Sequence, residues 1–157
     1  MAIEIERKFL VNELPGAELE QALVEQIQQG YLIRESEREV RVRRKGDLCF
    51  LTEKKGSGLR REEHEILISE AMFEALWPLT KGMQLAKARS TFTLDGHQLE
   101  LDVYQGELEP LMVLETEFES EEQAHAWTPP WFAGAEVTGD KRYKNAQLAM
   151  AGKPDRG

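Results

Sequence analysis

The sequence predicts an α+β protein built on antiparallel strands with one charged and one apolar face. Three observations carry this: strand-like alternation in most segments, turn signals between neighbouring segments, and short amphipathic helices able to cover the apolar side. Residues 3–10 alternate as a strand, and alternate side chains of a strand share a face. Pro15-Gly16 opens a stretch with Leu19, Leu23 and Ile27 at four-residue spacing, read as a helix that Gly30 stops. Residues 38–45 alternate again, Gly46-Asp47 signals a turn, and Leu48–Lys54 forms the second arm of a hairpin. Gly56-Ser57-Gly58 reads as a flexible connection and Arg61–Ile68 as a further strand. Ser69 is placed to cap a short helix carrying Met72, Phe73, Leu76 and Trp77, which Pro78 ends.

The second half repeats the scheme. Residues 86–94 and 98–104 flank Asp95-Gly96, a hairpin signal. Residues 112–119 form a strand, and Ser120 with Gln123 resembles a capping box for a helix ending before Pro129-Pro130. A last helix is expected from near Asp140 to about Met150, leaving residues 1–151 as a single domain and 152–157 as a frayed tail.

Composition narrows the function. The chain has 157 residues, with 29 acids against 20 bases and a net charge of -9, so nonspecific nucleic-acid binding is disfavoured. One cysteine, Cys49, excludes an internal disulfide and a cysteine-rich zinc site. The N-terminus lacks a signal peptide's apolar run and no segment approaches a membrane span, so no membrane partner and a cytoplasmic location are expected. The sequence leaves monomer and homodimer open. His64, His97 and His125 lack ligand spacing, Cys49 falls on the apolar side, and Trp77, Trp127 and Trp131 read as outer packing.

The polar faces, collected, hold Glu4, Glu6 and Lys8; Arg41 and Arg43; Thr52 and Lys54; Arg61, Glu63 and Glu65; Lys87 and Arg89; Glu100 and Asp102; Glu115 and Glu117. Glu4 and Glu6 stand about 7 Å apart on one strand face, a pairing that suits a hard divalent cation. Carboxylates pair at 4/6, 100/102 and 115/117, bases at 41/43 and 87/89, whereas solvated faces intersperse the signs. Arginine outnumbers lysine among the paired bases, as bidentate phosphate contacts require. Carboxylates for metal beside arginines for phosphate describe a metal–polyphosphate site. An open sheet with one solvated face is the competing geometry; if the strands close, the charged face must be the interior.

These residues also carry a family resemblance. Glu4-Ile5-Glu6-Arg7-Lys8 matches the ExExK signature of the CYTH superfamily, the triphosphate tunnel metalloenzymes. The likeness continues through Val40–Arg43, Leu51–Lys54, Arg61-x-Glu63-x-Glu65, Lys87-x-Arg89, Glu100–Asp102, Glu115–Phe118 and Glu136–Asn145, in the family's order and over about residues 1 to 149. It is strongest to the small single-domain bacterial members. The resemblance implies a closed barrel of eight antiparallel strands, a tunnel that binds a linear triphosphate with Mg²⁺ or Mn²⁺. It implies Glu4, Glu6, Glu115 and Glu117 as metal ligands, with Glu63 and Asp102 as secondary candidates. Lys8, Arg41, Arg43, Lys54, Lys87 and Arg89 become phosphate contacts, and Arg61 orders a neighbouring carboxylate. Lys8 is also a candidate for charge stabilisation or, with a lowered pKa, proton transfer, and Tyr31 resembles a family tyrosine that approaches that lysine. The Asp140–Asn145 segment is placed to plug one tunnel end, with Arg142 or Lys144 reaching in. Hydrolysis of inorganic tripolyphosphate is the leading expectation; a class IV-type adenylate cyclase, a thiamine triphosphatase and a noncatalytic polyphosphate- or nucleotide-binding module are the alternatives.

Overall fold

In a computed structural model, which describes residues 2–56 and 59–154, eight antiparallel strands close into a barrel in the order β1-β5-β4-β3-β2-β6-β7-β8. The strands are β1 (Ala2–Leu10), β2 (Leu23–Arg34), β3 (Arg38–Lys45), β4 (Leu48–Lys55), β5 (Arg60–Ile68), β6 (Gln84–Leu94), β7 (His97–Tyr104) and β8 (Met112–Glu117). Three short helices, α1 (Glu70–Leu76), α2 (Glu121–Ala126) and α3 (Asn145–Ala151), lie outside or at one end. Among the described residues no helix is long and apolar enough to cross a membrane. Ser57, Gly58 and the last residues of the expected tail, 155–157, lie outside the described residues.

The strand that closes the barrel is the one sequence reasoning took for a helix. Residues 17–19 make a single 3-10 turn, and Leu23–Arg34 is β2, paired to β3 on one side and β6 on the other. Leu19, Leu23 and Ile27 are four residues apart, a spacing that fits one face of a helix and equally one face of a strand. Tertiary pairing decides it. Ile27, Gln29 and Tyr31 turn inward and are fully buried. Gly30 is no helix stop. It sits mid-strand where a Cβ would come within 2.4 Å of Thr80 Oγ1, so only glycine lets the turn after α1 press against β2.

The expected last helix is also broken. Asp140 accepts from the Arg142 N–H to cap a 3-10 turn at Lys141–Tyr143, Lys144 is extended, and α3 begins at Asn145. The other signals hold locally. Asp95 and Gly96 both have positive φ, as a two-residue hairpin turn requires. Ser69 Oγ accepts from the Met72 N–H, and Ser120 Oγ from the Gln123 N–H; the Gln123 side chain reaches back to the N–H of Glu119, one residue before the cap.

The apolar core lies outside the barrel wall. Phe9, Phe92, Leu99, Leu101 and Leu114 pack under Phe132, and Val42 and Cys49 under Phe73 of α1. Trp77 stacks on Phe73 and Trp127 packs on Phe9 and Phe118, whereas Trp131 is exposed and donates to Glu18. Leu148 of α3 joins Leu85, Tyr104 and Val113 to seal part of one barrel end. With apolar side chains committed to the outside, strand alternation sends the charged set inward.

Candidate functional site

The barrel encloses a cavity of about 190 Å³ lined by seven carboxylates, seven bases and Asn145, with no apolar or aromatic side chain. That inverts the usual small barrel, whose interior is packed with hydrocarbon. Buried charge is tolerated only when paired or ligand-bound, so the pairings identify what the cavity is for.

One wall is acidic. Glu6 on β1 stands opposite Glu117 on β8, with Glu4 two residues along, and ligand oxygens of all three lie within 4.8 Å of one another. Crowding shows in their protonation. Burial, then Glu4 and Glu100, push Glu117 up to about 7; burial, then Glu115, raise Glu6. Three converging carboxylates, two of them held above the ordinary carboxylate range, fit a hard divalent cation.

The bases on β3, β4 and β5 are incompletely paired. Arg41 is buried, has no carboxylate within ion-pair distance among the described residues, and leaves its Nε unbonded. Arg43 reaches Glu65 at 3.3 Å, but its Nε is unbonded too, and burial with Arg41 and Arg89 pushes it down to about 10. Lys54 bridges Glu4 at 3.2 Å and Glu63 at 3.4 Å; burial, then Arg41, lower its pKa. Arg61 holds Glu39 at 2.8 Å and stands 4.0 Å from Glu6, the ordering role expected of it.

Not all predicted site residues reach the cavity. Asp102 is fully buried in the wall, gripped by Arg89 through both oxygens at 2.8 and 2.9 Å, with Lys87 Nζ 2.7 Å away. Burial alone would raise Asp102, but Lys87 and Arg89 outweigh it and hold it well below the usual range; burial pushes Lys87 down to about 8. Neither Asp102 nor Lys87 lines the cavity, whereas Arg89 does. Glu115 does so as well, but it stands apart from the acidic triad, 3.2 Å from Lys8. Lys8 and Arg89 outweigh its burial and hold it at about 2.

Tyr31 is also in the wall. Its hydroxyl accepts from Gln29 Nε2 at 2.8 Å, and among the described residues no hydrogen bond joins it to Lys8. Burial raises its pKa further. Proton transfer by Lys8 is conditional on a lowered pKa, and the shift runs the other way: burial opposes its charge, but Glu115 and Glu6 outweigh burial and raise it. Lys8 therefore stays an ammonium at neutral pH.

Glu39, Lys45 and Asn145 line the cavity and were not singled out from sequence. Glu39 and Lys45 continue the alternation of Arg41 and Arg43 on β3, so extending that period by one step each way finds them. Asn145 is the first residue of α3 and ends the segment expected to plug the tunnel, where Arg142 or Lys144 is the residue expected to reach in.

The CYTH domain profile matches residues 2–132. The chain belongs to the CYTH family. It is 47% identical over 150 residues to an inorganic triphosphatase of Nitrosomonas europaea, covering 94% of this chain and 97% of that protein. To an inorganic triphosphatase of Acetivibrio thermocellus it is 37% identical over 151 residues, 94% of each. Its fold superposes on the crystal structure of an inorganic triphosphatase with a TM-score of 0.73 and 43% identity, covering 98% of this chain and 99% of the other.

Proposed function

We propose that this CYTH protein hydrolyses inorganic tripolyphosphate to pyrophosphate and orthophosphate with Mg²⁺ or Mn²⁺. The observation that carries the reading is the pairing defect inside the tunnel. Among the described residues Arg41 has no carboxylate within ion-pair distance, Arg43 holds one loosely, and ligand oxygens of Glu4, Glu6 and Glu117 converge within 4.8 Å of one another. A polyanion answers the first defect and a divalent cation the second.

Glu4, Glu6 and Glu117 are the cation's ligands in this reading, and the bound ion supplies charge neutralisation of phosphate oxygens. Arg41, Arg43, Arg89 and Lys54 grip the non-bridging oxygens, the arginines by planar forks. Lys8, kept protonated by Glu115 and Glu6, offsets charge on the reacting phosphoryl group and is not the base. A loose phosphoryl-transfer transition state needs little from a base, so positioning and electrostatics carry the rate. Lys87 and Asp102 act behind the wall by fixing Arg89. The absence of any ring among the cavity-lining residues favours an inorganic substrate over a nucleotide or thiamine ester.

The test offers purified protein tripolyphosphate, ATP and thiamine triphosphate in parallel, with Mg²⁺ or Mn²⁺, and measures phosphate and cyclic AMP. Phosphate release fastest from tripolyphosphate is expected. Cyclic AMP from ATP with tripolyphosphate untouched would replace this reading with a cyclase.

A further inference from the structure

Three spaces share walls along the tunnel. The central cavity and a chamber of about 20 Å³ behind it have Glu6, Lys8 and Arg61 in common. That chamber and an outer groove of about 260 Å³ share Lys144. Arg34, Lys141 and Arg142 line the groove on the protein's outside.

Lys144 is built unlike a structural lysine. It occupies the single extended residue between the 3-10 turn Lys141–Tyr143 and α3. It is half-buried, yet among the described residues no carboxylate comes within ion-pair distance of it. Its Nζ reaches the Ser36 carbonyl at 3.5 Å, the outer limit of a hydrogen bond. Arg142, the alternative plug residue, points outward and is tied to Asp140 by two side-chain hydrogen bonds.

We propose that this rear passage is the exit for orthophosphate and that Lys144 is its gate, an inference that rests on the triphosphatase reading. A linear triphosphate entering beside Glu4, Glu6 and Glu117 puts its terminal phosphoryl group deepest, next to Lys8 and Arg61. Hydrolysis joins a water oxygen to the terminal phosphorus. The bond from that phosphorus to its bridging oxygen breaks, pyrophosphate leaves with the electron pair, and a proton passes to solvent. Orthophosphate then lies behind pyrophosphate, which Arg41, Arg43 and Arg89 hold across the entrance. The other route is the rear, where Lys144 and then Lys141 and Arg34 offer successive cations beside the carboxylates of Asp140, Glu39 and Glu35. A 20 Å³ chamber admits a water molecule and not a phosphate, so the Lys144 side chain must swing aside, and among the described residues one long hydrogen bond holds its Nζ.

The experiment compares Lys144→Glu and Lys144→Gln with the unmodified protein, after melting curves confirm the fold. Quenched single turnovers measure cleavage, and a fluorescent orthophosphate-binding protein measures release. Cleavage should stay within about twofold while orthophosphate release slows about tenfold in Lys144→Glu, and less in Lys144→Gln, so that release becomes the rate-limiting step. Unchanged release in both variants, or pyrophosphate reaching solution before orthophosphate in the unmodified protein, would overturn the exit. Failure of the triphosphatase reading shows separately, as no cleavage in the quenched turnovers. In that event orthophosphate titration by calorimetry decides: weaker uptake in Lys144→Glu supports the rear anion path, and equal uptake removes it.

Discussion

Two clusters of charge, one in the wall on β6 and β7 and one in the lumen on β3 and β8, are built to opposite rules. In the wall, Asp102 is held by Arg89 and Lys87 within 2.9 Å, and the anion lies well below its ordinary pKa. In the lumen, Arg41 has no carboxylate, Arg43 is pushed down to about 10, and Glu117 is pushed up to about 7. Each base of the wall cluster has its counter-charge within 2.9 Å, and the lumen cluster lacks that. Burial alone does not distinguish them, since Arg41 and Arg43 in the lumen are as sheltered from solvent as Arg89, and only Glu117 among those named is exposed. What separates structure from site is whether each charge's partner is already supplied by the protein.

The largest effect that sharpens this contrast falls on the acidic triad. The double change Glu4→Gln and Glu6→Gln should lower tripolyphosphate hydrolysis about a thousandfold, because charge stabilisation by a bound cation is worth several kcal/mol. The fold should survive, since Lys54 keeps Glu63 and Arg61 keeps Glu39. Initial rates at limiting Mg²⁺, beside melting curves, check both halves. Near-normal turnover would remove these residues from the cation site.

Next comes the wall. Asp102→Asn leaves Lys87 buried without its anion and Arg89 with only Glu100 at 3.2 Å and Glu115 at 3.9 Å, which should cost about 3–5 kcal/mol of stability. Urea unfolding measures it. A loss under about 1 kcal/mol would mean the cluster is as loosely satisfied as the lumen, and the distinction would fail.

Arg41→Ala should weaken tripolyphosphate binding by about 1.5–3 kcal/mol, the range for hydrogen bonds to charged groups. Arg41→Lys should recover only part, because an ammonium lacks the fork. Calorimetry showing full affinity in the alanine variant would leave Arg41 without a role.

The smallest effect is on pH. Glu117 has a folded-state pKa raised to about 7 from an ordinary value near 4.5, so it binds its proton more tightly when folded. Stability from that preference is complete below about pH 4.5 and is lost as pH rises through 7. Metal-free protein should therefore melt at lower temperature at pH 8 than at pH 5, modestly, because Glu117 is exposed at the tunnel mouth. In Glu117→Gln the slope should flatten; an unchanged slope would place its origin elsewhere.

Much of this was legible in the chain. Period-2 alternation put Glu4, Glu6, Lys8, Arg41, Arg43, Lys54 and Arg89 on one face, and the structure gathers them round one cavity. Alternation reports a face but not depth along it. Lys87 and Asp102 share parity with the lumen residues yet lie in the wall, because pairing between β6 and β7 sets Arg89 opposite Asp102, with Lys87 one inward step further along β6. Tyr31 shares that parity too and is spent on Gln29. β2 was missed because four-residue spacing serves a strand as well as a helix, and only its pairing to β3 and β6 resolves the ambiguity. The break at Lys144 follows from Asp140 using its carboxylate on Arg142, a local competition that periodicity does not register.

The central claim is that the lumen's unpaired charges await a metal-bound triphosphate, and thermal melting with and without that ligand tests it most directly. Tripolyphosphate with Mg²⁺ at a hundredfold excess over its dissociation constant should stabilise the protein by about 2.7 kcal/mol. Asp102→Asn should keep part of the gain from its lower baseline, reduced because Arg89 loses its anchor, while Arg41→Ala should lose most of it. A melting temperature that does not move at millimolar tripolyphosphate, with or without Mg²⁺, would contradict the account.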